Sequence, residues 1–110
     1  MKVKDASERD IKQMQKDGKS FAVFFYTPLC GTCKVGERML NIVLEMHASL
    51  PLVKCNVNFA ANLVQTWQIS SIPCLAIVRQ GILYKKEYAM RSVDHLYQRL
   101  HPLFIINQAE

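Results

Sequence analysis

Two cysteines separated by two residues, in the stretch "YTPLCGTCK" from Tyr26 to Lys34, have the greatest capacity for chemistry in this chain. They follow the apolar run Phe21 to Tyr26 and lead into a helical pattern. At a strand-to-helix junction, Cys30 and Cys33 could exchange electrons as a dithiol, hold a metal, or fill space. A structural zinc site takes four Cys, His or carboxylate ligands. Here there is no second Cys-x-x-Cys, and His47, His95 and His101 have no ligand spacing and read as surface or satisfied helix residues. Cys55 falls on the apolar side of a predicted strand and reads as core, because free cysteine is among the most buried residue types. Cys74 reads as core too, with an auxiliary thiol or a cluster ligand shared between two chains as the alternatives.

Thiol–disulfide exchange requires a thiolate nucleophile. A helix N-terminus presents unpaired N–H groups and the positive end of the helix dipole, and both favour an anion. Cys30 stands at that point, with Lys34 one turn on as a weaker electrostatic helper. Cys33 lies one turn after Cys30 on the same helix face. It is therefore placed to attack a mixed disulfide formed on Cys30. Gly31 keeps the helix start uncrowded for a partner.

These residues need elements to hold them. Ser7 caps a predicted helix over 8–16, with Asp10 completing a capping box, and Asp17-Gly18 ends it. Phe21 to Tyr26 is apolar on both faces, as in a central strand covered on both sides. A long helix starts near Cys30 or Gly31. Its apolar stripe is Val35, Met39, Ile42, Val43, Met46 and Leu50, and Pro51 closes it. The 52–57 segment alternates, with Val53, Cys55 and Val57 on one face and Lys54 and Asn56 on the other. Ala60, Leu63, Val64 and Trp67 mark a shorter helix, with Trp67 in the core. Cys74 to Arg79 and Ile82 to Tyr88 form a hairpin turning at Gln80-Gly81. Ser92 caps a last helix with the stripe Val93, Leu96, Tyr97, Leu100, Leu103 and Phe104. Pro102 is expected to kink or divide that helix, since it lacks an N–H and crowds the carbonyl four residues back. The order predicts a mixed sheet with helices on both faces, an α/β fold in one domain over 1–110.

The chain has 110 residues, half of them apolar, and a formal charge of +5. Its basic residues are scattered, with Lys85-Lys86 the only adjacent pair, which argues against a nucleic-acid partner. The N-terminus is charged and lacks the apolar region of a signal peptide. No apolar run approaches the ~20 residues of a membrane span. A cytoplasmic protein is expected. In a reducing compartment a Cys-x-x-Cys pair is more often catalytic or metal-binding than a structural disulfide.

With "FAVFFYTPLCGTCK", "VKCNVN" and "SSIPCLAIVRQG" in hand, the chain resembles the thioredoxin family over nearly its whole length. The resemblance implies a thioredoxin-like fold, with Cys30 as the attacking and Cys33 as the resolving cysteine. It implies a cis bond before Pro73, facing the cysteines, and an Ile72 backbone that pairs with an extended substrate. Leu29, Gly31 and Thr32 join them as substrate-contacting positions. Lys54 matches a lysine near the resolving cysteine, while Tyr26, Phe24 and Cys74 support the site. The pattern departs from the family at five positions. Leu29 replaces a tryptophan, Thr32 a proline, Phe24 an acidic residue, Arg38 a mid-helix proline and Ala89 a glycine.

The resulting expectation is a thiol–disulfide oxidoreductase acting on protein or small-thiol disulfides. It would need no bound cofactor and would be re-reduced by a separate reductase or a low-molecular-weight thiol. A monomer with no membrane or nucleic-acid partner is expected. Two other classes stay open: a redox-idle binding module using the groove at Pro73, and a metal or cluster protein.

Overall fold

The structure, a computed structural model, describes residues 2–109, and the side chains of residues 2–103. In chain order the elements are β1 (Lys4–Asp5), α1 (Glu8–Lys16), β2 (Phe21–Tyr26), α2 (Gly31–Met46), β3 (Leu52–Asn56), a 3-10 turn (Val57–Phe59), α3 (Ala61–Thr66), β4 (Cys74–Arg79), β5 (Ile82–Glu87) and α4 (Val93–Ala109). The strands form one sheet in the order β1-β3-β2-β4-β5. β1, β3 and β2 run parallel, and β4 and β5 are antiparallel additions. This mixed α/β sheet is the arrangement that the order of sequence patterns predicts.

Alternation along the strands divides the interior into two layers. Ala22, Phe24, Leu52, Leu75 and Ile77 face one layer with Leu40, Val43 and Leu44 of α2 and Leu96, Leu100 and Leu103 of α4. Phe21, Val23, Phe25, Cys55, Cys74, Ala76 and Val78 face the other, with Ile11 of α1 and Leu63 of α3. Phe21 to Phe25 are all buried, as expected of a strand covered on both faces. Trp67 belongs to the second layer and meets Phe25 edge-on at 5.9 Å.

Local chemistry sets several boundaries. The Ser7 hydroxyl accepts from the Asp10 N–H at 3.1 Å, and the Asp10 carboxylate accepts from the Ser7 N–H, closing the capping box. Gly81 has φ +80°, and a side chain there would come within 2.6 Å of the Gln15 carbonyl, so the β4–β5 turn fits against α1 only with glycine.

Four expectations need correction. The buried face of α2 is Cys33, Gly36, Leu40, Val43 and Leu44, whereas Val35, Ile42 and Met46 are exposed. The helix carries apolar residues on two sides, and Gly36 decides which turns inward. An added Cβ there would sit 3.1 Å from the Phe24 ring and 3.0 Å from Met90, so the glycine lets α2 lie close over β2. Leu50 is buried but lies beyond the helix, which ends at Met46. β3 stops at Asn56, whose side chain accepts from the Asn58 N–H and starts the 3-10 turn at Val57. Pro102 does not divide α4. The carbonyl it deprives of a partner belongs to exposed Gln98, where water can serve, and buried Leu100 and Leu103 hold the turn to the core. Phe104, the last residue of the expected stripe, lies outside the residues whose side chains are described.

Candidate active site

Cys30 is the N-cap of α2. Its backbone is extended (φ −91°, ψ 110°), and its sulfur accepts from the Cys33 N–H at 3.1 Å. The Thr32 hydroxyl lies 3.4 Å from the same sulfur. A capping oxygen ordinarily fills this place; here a sulfur takes it, facing the free N–H groups of the helix start. Cys30 and Cys33 are joined in a disulfide with their Cα atoms 5.2 Å apart. Cys33 is only 3 % exposed, whereas Cys30 is half-buried. The outer sulfur is accessible and the inner one is shielded.

The surroundings of the pair are uneven. On the outer side, Leu29 is 96 % exposed and Gly31 has open space where a Cβ would stand. The peptide bond between Ile72 and Pro73 is cis. Pro73 shares an apolar groove of about 450 Å³ with Thr32, Val35, Met39, Tyr88 and Met90. Of these, Val35, Met39, Tyr88 and Met90 were not anticipated as groove residues. The two from α2 belong to the stripe expected in the core; Val35 is exposed, and Met39 is partly buried against the first layer.

On the inner side, Phe24 is fully buried in the layer that contains Cys33. Lys54 lies opposite Phe24 in the β2–β3 ladder and extends to Glu37 of α2, Nζ to Oε1 at 3.1 Å. Its ammonium also lies 5.1 Å from the Tyr26 ring centre. The Tyr26 hydroxyl donates to the Asp5 carboxylate at 2.6 Å. Burial, with the Asp5 bond and charge adding to it, pushes the Tyr26 hydroxyl well above the usual phenol range. Glu37 was missed in the sequence, although its place four residues after Cys33 puts it one turn along the same helix.

Cys74 does not join this site. It pairs with Phe25 across the sheet, points into the second layer and is fully buried. Cys33 is in the first layer, so an auxiliary thiol or a ligand set with Cys30 and Cys33 is not formed by this arrangement. Cys55 lies in the same layer as Cys74, on the other side of Phe25. Burial pushes both thiols up to about 11; for Cys74 a hydrogen bond with Tyr88 opposes the rise. Among the described residues no three His, Cys, Asp or Glu side chains converge as a metal site would require.

The thioredoxin family model matches residues 2–101. The chain belongs to the thioredoxin family. It is 31% identical over 96 residues to the thioredoxin-like protein YusE of Bacillus subtilis, covering 87% of this chain and 89% of that one. It is 36% identical over 75 residues to bovine thioredoxin domain-containing protein 9, covering 68% of this chain but only 33% of that longer protein. Among solved structures, the oxidised mitochondrial thioredoxin 3 of Saccharomyces cerevisiae superposes with a TM-score of 0.78 at 18% identity, covering 92% of this chain and 95% of that one. The thioredoxin of Trypanosoma brucei brucei gives a TM-score of 0.78, also at 18% identity, covering 93% of this chain and 90% of that one. These superpositions show a thioredoxin-like fold. Membership with a close Cys-x-x-Cys pair supports thiol–disulfide oxidoreductase chemistry in general. No helix among the described residues is long and apolar enough to cross a membrane.

Proposed function

We propose that this chain reduces disulfides of proteins or small thiol adducts, with Cys30 as nucleophile and Cys33 as resolving thiol. The observation that carries this reading is the Cys30 sulfur seated as the cap of α2, facing the Cys33 N–H and partly open to solvent. A thiolate there gains hydrogen bonds and the favourable end of the helix dipole, both of which lower a thiol pKa. The reduced Cys30 thiolate attacks one sulfur of the substrate disulfide; that S–S bond breaks and the first substrate thiolate leaves. Cys33 then loses its proton and attacks the Cys30 sulfur, releasing the second substrate thiol and closing the Cys30–Cys33 disulfide. Two electrons have passed from the dithiol to the substrate. A separate reductase or a low-molecular-weight thiol restores the dithiol, and no bound cofactor takes part.

Substrate recognition in this reading uses the groove at Pro73. An extended peptide would pair with the Ile72 backbone and lay apolar side chains against Thr32, Val35 and Met39. Leu29 offers an apolar contact where the family's tryptophan is absent. The test is Cys33→Ser: reduced protein should attack a disulfide through Cys30 and then stall as a mixed disulfide that reductant releases. If Cys30→Ser stalls in this way and Cys33→Ser does not, the two roles are reversed. The exposure of Leu29 also favours a second reading, a binding module in which the groove holds a partner and the dithiol is idle. Insulin reduction with dithiothreitol as electron donor separates the two, since a redox-idle module leaves the rate at the dithiothreitol background.

A further inference from the structure

The resolving step has a proton to dispose of, and the environment beneath Cys33 offers nowhere to put it. Cys33 is 3 % exposed, and the first-layer residues around it are apolar. Phe24, fully buried, fills the position beneath Gly36, its ring 3.1 Å from where a Cβ would stand. An apolar wall on that side disfavours the thiolate that Cys33 must become. The nearest carboxylate in sequence on the same helix is Glu37, four residues on. Side chains four apart on a helix are neighbours, with Cβ atoms about 5–6 Å apart. A helical side chain also leans over the turn N-terminal to its own Cα, which is the turn that carries Cys33.

We propose that Glu37, held by Lys54 at the α2–β3 boundary, accepts the proton that leaves Cys33 when it attacks the mixed disulfide on Cys30. This rests on the dithiol reading above. Lys54 fixes the carboxylate at 3.1 Å and is itself anchored on β3 opposite Phe24. The pair is partly open, with side-chain exposures of 28 % for Glu37 and 18 % for Lys54, so the proton can pass on to water. The other charged or titratable groups at this corner are Tyr26 of β2 and Asp5 of β1, which are engaged with each other. In the disulfide form Cys33 carries no proton, so the transfer belongs to the mixed-disulfide stage. There the Cys33 S–H bond breaks, the proton goes to the Glu37 carboxylate, and the electron pair left on sulfur forms the bond to Cys30. The leaving thiolate departs with the pair from the broken bond.

Stopped-flow reaction of reduced protein with dithiobis(nitrobenzoate) separates the steps. The first thionitrobenzoate is released as Cys30 attacks, and the second as Cys33 resolves the adduct. Glu37→Gln should leave the first phase unchanged and slow the second roughly tenfold near neutral pH. That loss lies below the roughly 10²–10⁴ span of well-positioned acid–base groups because water also reaches this corner. The deficit should shrink as pH rises and Cys33 ionises without help, and Glu37→Asp should recover part of the rate. A second phase in Glu37→Gln equal to wild type across pH would overturn the assignment, as would an equal slowing of both phases or a deficit that does not change with pH. A slow second phase in Lys54→Met with normal behaviour in Glu37→Gln would overturn it in favour of the lysine. If wild type releases no second equivalent, the dithiol reading fails, and this inference fails with it.

Discussion

Cys30 and Cys33 sit at the first turn of a helix, while Cys55 and Cys74 sit inside strands on either side of Phe25. In the first pair a sulfur receives an N–H at 3.1 Å and stands partly open to solvent. In the second, burial pushes both thiols up to about 11. Geometry separates the pairs as well. Cys55 and Cys74 flank one intervening strand, so at a strand spacing of about 4.8 Å their Cα atoms are about 10 Å apart. A disulfide needs less than about 7 Å. On the proposed reading, the same residue type is a reagent at the cap of a helix and a filler inside a sheet, and the backbone position decides which.

The sharpest way to break this comparison is to exchange the fates of the two pairs. Cys30→Ser should reduce insulin reduction to background, whereas Cys55→Ala and Cys74→Ala should keep it within about twofold. A comparable loss from Cys74→Ala in well-folded protein would bring the second layer into the chemistry. The next largest effect concerns the wall beneath Cys33. Phe24→Asp removes a fully buried ring, a change that typically costs about 3–5 kcal/mol on truncation. It also puts a carboxyl into an apolar strand, where it will favour the neutral form. Urea unfolding should show a loss of that order. Where the protein stays folded and the pH is high enough to ionise the introduced carboxyl despite its burial, the second phase of the dithiobis(nitrobenzoate) reaction should be faster than in wild type, because a carboxylate acceptor then lies beneath Cys33. Unchanged or slower resolution in folded protein would show that this position does not govern the step.

Much of this is readable from the sequence. Periodicity located β2, the β4–β5 hairpin and the capping of α1, because each rests on short-range rules: alternation, a turn residue, a serine three residues before an acid. Other features depend on what packs against them. The two residues of β1 form a strand only because β3 offers a parallel edge. The buried face of α2 was misread because Val35, Met39, Ile42 and Met46 make a regular stripe. The contact that rejects it, Gly36 against Phe24, joins residues 12 positions apart in chain order but adjacent in the fold. Glu37 was missed for a related reason: its partner Lys54 lies on another element, |i−j| = 17. Within the candidate site, Cys30, Cys33 and Pro73 are legible from spacing and resemblance, and so are Lys54 and Tyr26 beside them; their partners Glu37 and Asp5 are not.

A smaller effect should distinguish the pairs by pH. The folded-state pKa values of Cys55 and Cys74, about 11, lie above the ~8.5 of an unfolded-chain thiol. The folded state therefore holds these protons longer. The stabilisation is fully present below about pH 8.5 and is lost as pH rises toward 11, on the order of 3 kcal/mol per thiol. Denaturant midpoints across that window should fall, and the fall should be shallower in Cys55→Ala/Cys74→Ala protein. A decline of equal slope in the double variant would assign the alkaline loss to other groups.

The most direct test of the central claim is a redox titration of the native protein in dithiothreitol buffers of graded potential, quenched by alkylation and read by peptide mass. The account predicts one two-electron transition in which Cys30 and Cys33 gain or lose the alkyl label together. Cys55 and Cys74 should remain thiols at every potential, labelled only after unfolding. An absence of reversible oxidation at Cys30 and Cys33, or a transition that includes Cys55 or Cys74, would contradict it.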